Sequence, residues 1–133
     1  MITVQIIGDA PLPDVLDDNH LKIIARHTVG AAGLNYAAQY KPDIILLDYT
    51  VPVNHVLIIV NLLIQESPRS KIILIGESLS DELILDYLAN GVYGYLPVNT
   101  MKVFLTKAVT AVHSGEAWIS RKIAALLIVR LRG

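Results

Sequence analysis

The sequence contains no cysteine, which excludes disulfide bonds, thiolate catalysis and cysteine-ligated zinc. Positive charge is also scarce, because the net charge is −1 and Lys and Arg form no stripe of the kind that binds nucleic acid. We therefore expect any DNA contact to come from another domain. The longest apolar run, Val56 to Ile64, is broken by Asn61 and is far shorter than the roughly 20 residues that span a bilayer.

Charged residues of both signs make up only 17% of the chain, whereas 53% of the residues are hydrophobic. A typical domain has about 25% charged residues, so we expect an apolar surface to be buried beyond an ordinary core. The chain of 133 residues has the length of one domain. Its N-terminus lacks the basic region and cleavage site of a signal peptide, so we expect a cytoplasmic protein without membrane contact.

An acidic residue follows a buried strand in the middle of the chain. The apolar residues Ile44 to Leu47 lie between the turn-forming residues Lys41-Pro42-Asp43 and Pro52, which predicts a strand buried on both faces. Asp48 then lies at the carboxyl end of this strand, where α/β sheets bind ligands. Asp9 follows the first strand and leaves the sheet at the same end.

Strand and helix patterns alternate along the chain, and Pro, Gly and capping residues separate them. This alternation predicts a doubly wound α/β domain with a five-stranded parallel sheet in the order 2-1-3-4-5. Lys22 and Arg26 suit an edge strand. The predicted strands are Thr3 to Ile7, Leu21 to Ala25, Ile44 to Leu47, Lys71 to Ile75 and Val92 to Leu96. The predicted helices are one or two turns within 12–20, then Gly30 to Tyr40, Asn54 to Glu66, Ser80 to Asn90, Thr100 to Gly115, and a last segment from Ser120.

Three stretches together resemble the receiver domains of NarL/LuxR-type response regulators, which have a flavodoxin-like fold. They are P-D-I-I-L-L-D-Y-T-V-P from Pro42 to Pro52, A-N-G-V-Y-G-Y-L from Ala89 to Leu96, and A-V-T-A-V-H-S-G-E-A-W-I-S from Ala108 to Ser120. The resemblance implies a receiver domain over residues 1–120. It also implies a C-terminal helix or linker over 121–133, leading to an output domain that binds DNA.

The resemblance implies that Asp48 accepts a phosphoryl group from a partner histidine kinase, in a site that holds Mg²⁺. Asp9, Asp48 and the backbone carbonyl of Thr50 could supply part of the magnesium coordination. Tyr95 occupies the position of the aromatic residue that reports the phosphorylation state. The chain is expected to be a signalling protein rather than an enzyme.

The sequence departs from the receiver pattern at three positions around Asp48. Gly8 replaces one acid of the usual pair, Gly76 replaces the usual Thr or Ser, and Val98 replaces the usual Lys. A cation facing the phosphoryl oxygens commonly contributes a few kcal/mol to transfer, on the order of 3 kcal/mol. These departures favour a degenerate receiver that acts through protein contacts or dimerisation. A conventional switch at Asp48 and a small-molecule module with an uncharged pocket at Gly8, Gly76 and Val98 are the alternatives.

The apolar segment after Pro52 is the candidate partner surface. A helix on one side of a sheet buries a single stripe, so part of this segment would stay exposed on an isolated domain. The interface candidates are Val56, Ile59, Val60 and Leu63, with Leu127 on the C-terminal helix as a second candidate for self-association. Alternatively, the C-terminal helix or a loop covers this face within the chain.

Overall fold

A computed structural model of the chain describes residues 1–9, 20–48 and 53–133. In these ranges the strands are β1 (Ile2–Ile7), β2 (Leu21–His27), β3 (Ile44–Asp48), β4 (Lys71–Gly76) and β5 (Gly94–Pro97). The helices are α1 (Ala31–Tyr40), α2 (Val53–Glu66), α3 (Asp81–Ala89), α4 (Met101–His113) and α5 (Arg121–Leu131). A 3-10 turn, Val98–Thr100, leads into α4.

The five strands form one sheet in the order β2-β1-β3-β4-β5, and every neighbouring pair is parallel. The predicted fold class and strand order are therefore confirmed. All five side chains of β3 are buried because helices cover both faces of the sheet at its centre. Parallel pairing also brings the carboxyl ends of β1, β3 and β4 to one edge of the sheet, where Asp48 lies.

Side chains that alternate along the strands fill two apolar layers. Val4 and Ile6 of β1 face α4, whereas Ile7 faces α1 and α2. On the first side, Leu105 and Val109 of α4 complete a fully buried cluster. A third, smaller cluster lies between α3 and α5.

The two edges of the sheet are protected in different ways. Lys22 and Arg26 of β2 are exposed, as expected for an edge strand whose charges discourage further pairing. At the other edge, Trp118 pairs with β5, since the Tyr95 amide donates to the Trp118 carbonyl at 3.0 Å. A Cβ added to Gly94 would lie 2.7 Å from that carbonyl oxygen, so only glycine fits there.

The C-terminal helix α5 packs against α3. Ser120 caps it by accepting a hydrogen bond from the Ile123 amide, and Ile123 is only 3% exposed. Two ion pairs of 2.8 Å, Lys122 with Asp81 and Arg130 with Asp86, lie beside this contact. Since α5 lies on α3, it does not cover the outer face of α2.

Several predicted boundaries differ from the structure by one or two residues. The fifth strand begins at Gly94 rather than Val92, because the Val92 amide donates to the Tyr87 carbonyl at the end of α3. α2 begins at Val53 rather than at an Asn54 cap. The short helix predicted within 12–20 lies outside the described residues, apart from His20. None of the helices in the described ranges combines the length and apolar character needed to cross a bilayer.

Candidate functional site

The structure places Asp48 where the sequence predicts it, at the carboxyl end of β3. It pairs in register with Ile75 of β4, and Ile7 of β1 lies opposite the preceding residue, Leu47. The Asp48 residue is only 1% exposed. The candidate nucleophile is therefore enclosed by its neighbours rather than open to solvent.

Gly8 forms one wall of the Asp48 site. Its φ of +123° lies in a region that side-chain-bearing residues rarely adopt, and its amide donates to the His27 carbonyl at 2.8 Å. A Cβ added to Gly8 would lie 2.2 Å from Cβ of Asp48. The backbone of Gly8 and the side chain of Asp48 are thus in direct contact, and no carboxylate could be placed at position 8 without moving them apart.

The residues proposed to hold Mg²⁺ come together only in part. Asp9 is exposed beside the buried Asp48, and Thr50 lies outside the described residues. Over 1–9, 20–48 and 53–133, no group of three or more His, Asp or Glu side chains could hold a metal ion. Asp48 packs against position 8, so the place of the missing second acid supplies no ligand, and a magnesium site would rest on Asp9, Asp48 and the Thr50 carbonyl.

The positions that would contact a phosphoryl group carry neither a hydroxyl nor a cation. Gly76 ends β4 opposite Pro97 and is buried. The half-buried Val98 packs against the apolar cluster under α4. Lys102, the nearest cationic residue in the sequence, is exposed on α4. Positions 76 and 98 therefore offer only backbone and apolar groups.

Tyr95 connects β5 to the loop after β4. Its hydroxyl donates to the Gly76 carbonyl at 3.3 Å, and the Leu79 amide donates to the hydroxyl oxygen at 3.5 Å. The ring is half-buried against the clusters on either side of α3. The predicted switch residue is thus already held to the backbone of the β4–α3 loop.

A cavity of about 430 Å³ lies beside Tyr95, between α3, β5, α4 and the start of α5. A second cavity, of about 310 Å³, lies between α1 and α2. Neither is lined by Gly8, Gly76 or Val98, which are the residues that suggested an uncharged pocket. At Gly8 the physical reason is clear, since Asp48 fills the adjoining space.

Three of the predicted interface residues are in the core, so that part of the prediction is wrong. Val56, Val60 and Leu63 are at most 1% exposed and face the sheet, because their spacing of four and three residues places them on one side of α2. Ile59 and Leu127 are half-buried. Among the side chains of α2 that the structure describes, Ile58 and Leu62 are the large apolar ones that are exposed.

A buried polar contact near this site has no counterpart in the sequence-based predictions. Gln5, fully buried in β1, donates to the Gly33 carbonyl at 2.9 Å, and its amide nitrogen lies 3.2 Å from Nδ1 of His27. Tyr36 packs against the His27 ring, with centroids 5.0 Å apart. These contacts fasten α1 to β1 and β2. The only signal in the sequence is a single amide within an otherwise apolar strand.

Comparison with known proteins finds relatives of similar sequence and solved structures of similar fold. No family model matches the chain. The oxygen regulatory protein NreC of Staphylococcus aureus is 27% identical over 111 residues, which are 83% of this chain and 51% of NreC. The chain thus spans about half the length of the curated relatives it matches.

Solved structures show the same fold. The receiver domain of RcsB from Salmonella enterica serovar Typhimurium, in its apo form, superposes with a TM-score of 0.78 at 15% identity over 96% of this chain and 99% of that one. A LuxR-family response regulator from Aurantimonas superposes with a TM-score of 0.77 at 16% identity over 98% of each chain. The NarL receiver domain of Mycobacterium tuberculosis gives 0.69 at 20% identity over 86% of this chain and 98% of its own.

The similarity to NreC, the strand order and the aspartate at the carboxyl end of β3 agree with one another. The chain is therefore similar in sequence to NreC and has the fold of solved response-regulator receiver domains.

Proposed function

We propose that this chain is an atypical receiver domain that works through protein contacts and is phosphorylated inefficiently at Asp48. The observation that carries the proposal is the closure of the site. Asp48 is 1% exposed, and its Cβ lies 2.2 Å from the place that a Cβ on Gly8 would occupy. A carboxylate in this position must be uncovered before it can attack phosphorus.

Gly76 and Val98, at positions that the receiver pattern gives to a hydroxyl and a cation, offer no compensation for the charge that phosphorylation adds. A phosphoryl group carries about −1.5 to −2 charges at neutral pH. Phosphoryl transfer depends almost entirely on positioning and on stabilising this charge. Gly76 offers no hydroxyl and Val98 no ammonium group, so the transition state gains little stabilisation from these two positions.

Coupling between Asp48 and Tyr95 is proposed to be weak for a related reason. The Tyr95 hydroxyl already donates to the Gly76 carbonyl. Because Gly76 has no side chain to move toward a phosphoryl group, phosphorylation has no hydroxyl at this position through which to displace Tyr95. The domain would then keep one surface whether or not Asp48 is modified.

The wider role is proposed from the relatives. RcsB has been solved as dimers bound to two parallel DNAs. By analogy, we propose that this domain regulates a DNA-binding output domain in the cytoplasm through a protein partner or a second copy, without enzymatic activity. Any DNA contact would belong to the output domain, since the net charge of the chain is −1.

A conventional phosphoacceptor is the second candidate function. It is favoured by the position of Asp48 at the end of β3 and by the retained Tyr95. In this case a histidine kinase would be the partner, and Asp9, Asp48 and the carbonyl of Thr50 would hold Mg²⁺. It requires Asp48 and Gly8 to separate, so that phosphate and metal can enter.

The two functions are distinguished by incubating the chain with acetyl phosphate and Mg²⁺ and measuring its intact mass over time. We expect only a small fraction of the chain to gain a phosphoryl group, and the Asp48→Asn variant to gain none. A double variant, Gly76→Ser with Val98→Lys, restores the hydroxyl and the cation and should be phosphorylated faster. Stoichiometric phosphorylation of the unmodified chain at Asp48, with a change in oligomeric state, would show that the proposal is wrong.

A further inference from the structure

The outer side of α1 and α2 has almost no charge. α1 contains no Asp, Glu, Lys or Arg, and α2 contains Glu66, at its last position, and one exposed histidine, His55. The opposite side of the sheet is different, since α4 exposes Lys102 and Lys107. Roughly a quarter of the residues in a typical domain are charged. Two neighbouring surface helices that together contain a single acidic residue are therefore unusual.

Apolar side chains project from this uncharged surface. On α2, Ile58 is 55% exposed and Leu62 is 39% exposed. Ile58 and Leu62 are four residues apart on α2 and therefore lie on the same side of that helix. Neither α5, which packs on α3, nor any other described helix covers them.

The cavity of about 310 Å³ between α1 and α2 adjoins these side chains. Leu34 of α1 and Ile59 and Leu62 of α2 line it, and no polar or charged side chain contributes to its wall. Its volume is about twice the ~150 Å³ of an apolar cavity that takes up benzene, so it has room for a large aliphatic or aromatic side chain. The surface thus carries an apolar projection and an apolar hollow side by side.

We propose that a second copy of this chain docks on the α1–α2 surface, with a two-fold axis between the two faces. Two-fold pairing brings the same surface together from both copies, so charges of one sign would repel their own kind. A surface without charge avoids this repulsion. Each copy offers a projecting Ile58 and a cavity lined by Leu62, so the projection of one copy fills the hollow of the other.

The size of the surface sets the strength of this dimer. At 1.5 Å per residue, α1 and α2 are about 15 and 21 Å long, which gives a face smaller than the ~800 Å² that each partner buries in a standard interface. We therefore expect a dissociation constant on the order of tens to hundreds of micromolar. The inference rests on the proposed interaction role, for which it names the partner.

Sedimentation equilibrium between about 10 µM and 1 mM tests this proposal, a range chosen around the expected dissociation constant. The unmodified chain should shift from monomer to dimer. Ile58→Lys should raise the dissociation constant at least about tenfold, because it places a charge in the apolar contact from both copies. The matched control is Val103→Lys on α4, at a residue that is 67% exposed, which should leave the dimer unchanged.

Amide and methyl NMR spectra of the unmodified chain over the same dilution series provide a test that does not depend on whether the variants fold. Resonances of Leu34, Ile58 and Leu62 should shift with concentration, while those of Val103 stay constant. A chain that remains monomeric at about 1 mM, a dimer insensitive to Ile58→Lys, or shifts confined to α4 and α5 would each overturn the proposal. These experiments contain no acetyl phosphate or other phosphoryl donor. A failure to dimerise would therefore not change the outcome of the phosphorylation test of the proposed function.

Discussion

Replacing Gly8 with alanine tests the contact that closes the Asp48 site. The φ of +123° costs a residue with a side chain about 1–2 kcal/mol. The added Cβ would also meet Cβ of Asp48 at 2.2 Å, and forced overpacking of this kind costs typically 1–3 kcal/mol. Together the two effects predict a loss of about 2–5 kcal/mol in the free energy of unfolding.

Gly115→Ala is the matched control for the backbone contribution. Gly115 has a φ of +99°, but a Cβ added there meets no atom within 4 Å. Its substitution should therefore cost only the backbone strain of about 1–2 kcal/mol. The difference between the two variants measures the contact between position 8 and Asp48.

Urea denaturation followed by far-UV circular dichroism gives both free energies, and thermal denaturation provides a check. At this chain length 1 kcal/mol corresponds to roughly 3–5 °C, so Gly8→Ala should lower Tm by about 6–25 °C. In an Asp48→Gly background the cost of Gly8→Ala should approach that of Gly115→Ala. If Gly8→Ala costs no more than Gly115→Ala in the unmodified background, Asp48 does not pack against Gly8 and the closed-site reasoning fails.

Two further substitutions test the packing around β5 and α3. Gly94→Ala should destabilise the domain by about 1–3 kcal/mol, because its Cβ would contact the Trp118 carbonyl. Urea denaturation measures this loss, and an unchanged free energy of unfolding would show that the contact is absent. Tyr87→Phe should be neutral or stabilising by about 1 kcal/mol, since the Tyr87 hydroxyl is buried without a hydrogen-bond partner in the described structure. Burial, with a smaller contribution from the Asp86 carboxylate, raises the pKa of Tyr87, so the unfolded state loses its proton first. The free energy of unfolding of the unmodified chain should therefore fall as the pH rises above the ordinary tyrosine pKa of about 10, and that of Tyr87→Phe should fall less. Denaturation at pH 9 and pH 11 measures both changes. An equal fall in the two proteins would contradict this prediction.

The sequence was sufficient to predict the sheet because the strands leave strong local signals. β3 and β4 are apolar runs bounded by Pro, Ser and Gly, and Lys22 and Arg26 mark an edge strand. Parallel strands joined by helices then restrict the strand order to a few possibilities. The position of Asp48 follows from the same reasoning, since it depends only on where β3 ends.

The surface of α2 shows where a local pattern is not enough. Its middle is apolar almost all the way round, so hydrophobicity does not tell which residues face the sheet. That choice depends on the rotation of the helix, which is fixed by contacts of Val56, Val60 and Leu63 with distant strands. Ile58 and Leu62 are exposed for the same reason.

The contact between Gly8 and Asp48 was also beyond sequence reasoning. The sequence identifies Gly8 only as a missing acid, because a glycine in a sequence does not reveal a positive φ or a neighbouring residue from another strand. The hydrogen bonds of Tyr95 to the β4–α3 loop likewise depend on backbone atoms 16 and 19 residues away. Such contacts are set by three-dimensional approach rather than by residue type.

Beryllofluoride with Mg²⁺ probes whether the Asp48 site stays closed, because this reagent imitates a bound phosphoryl group without requiring a transfer reaction. The RcsB receiver domain, solved in the presence of BeF3⁻, is a suitable positive control. At saturating reagent, we expect the amide resonances of Gly8, Asp48 and Tyr95 not to shift. Saturable shifts at all three residues would show that the site opens, binds the reagent and signals to Tyr95, and that Asp48 is not held closed.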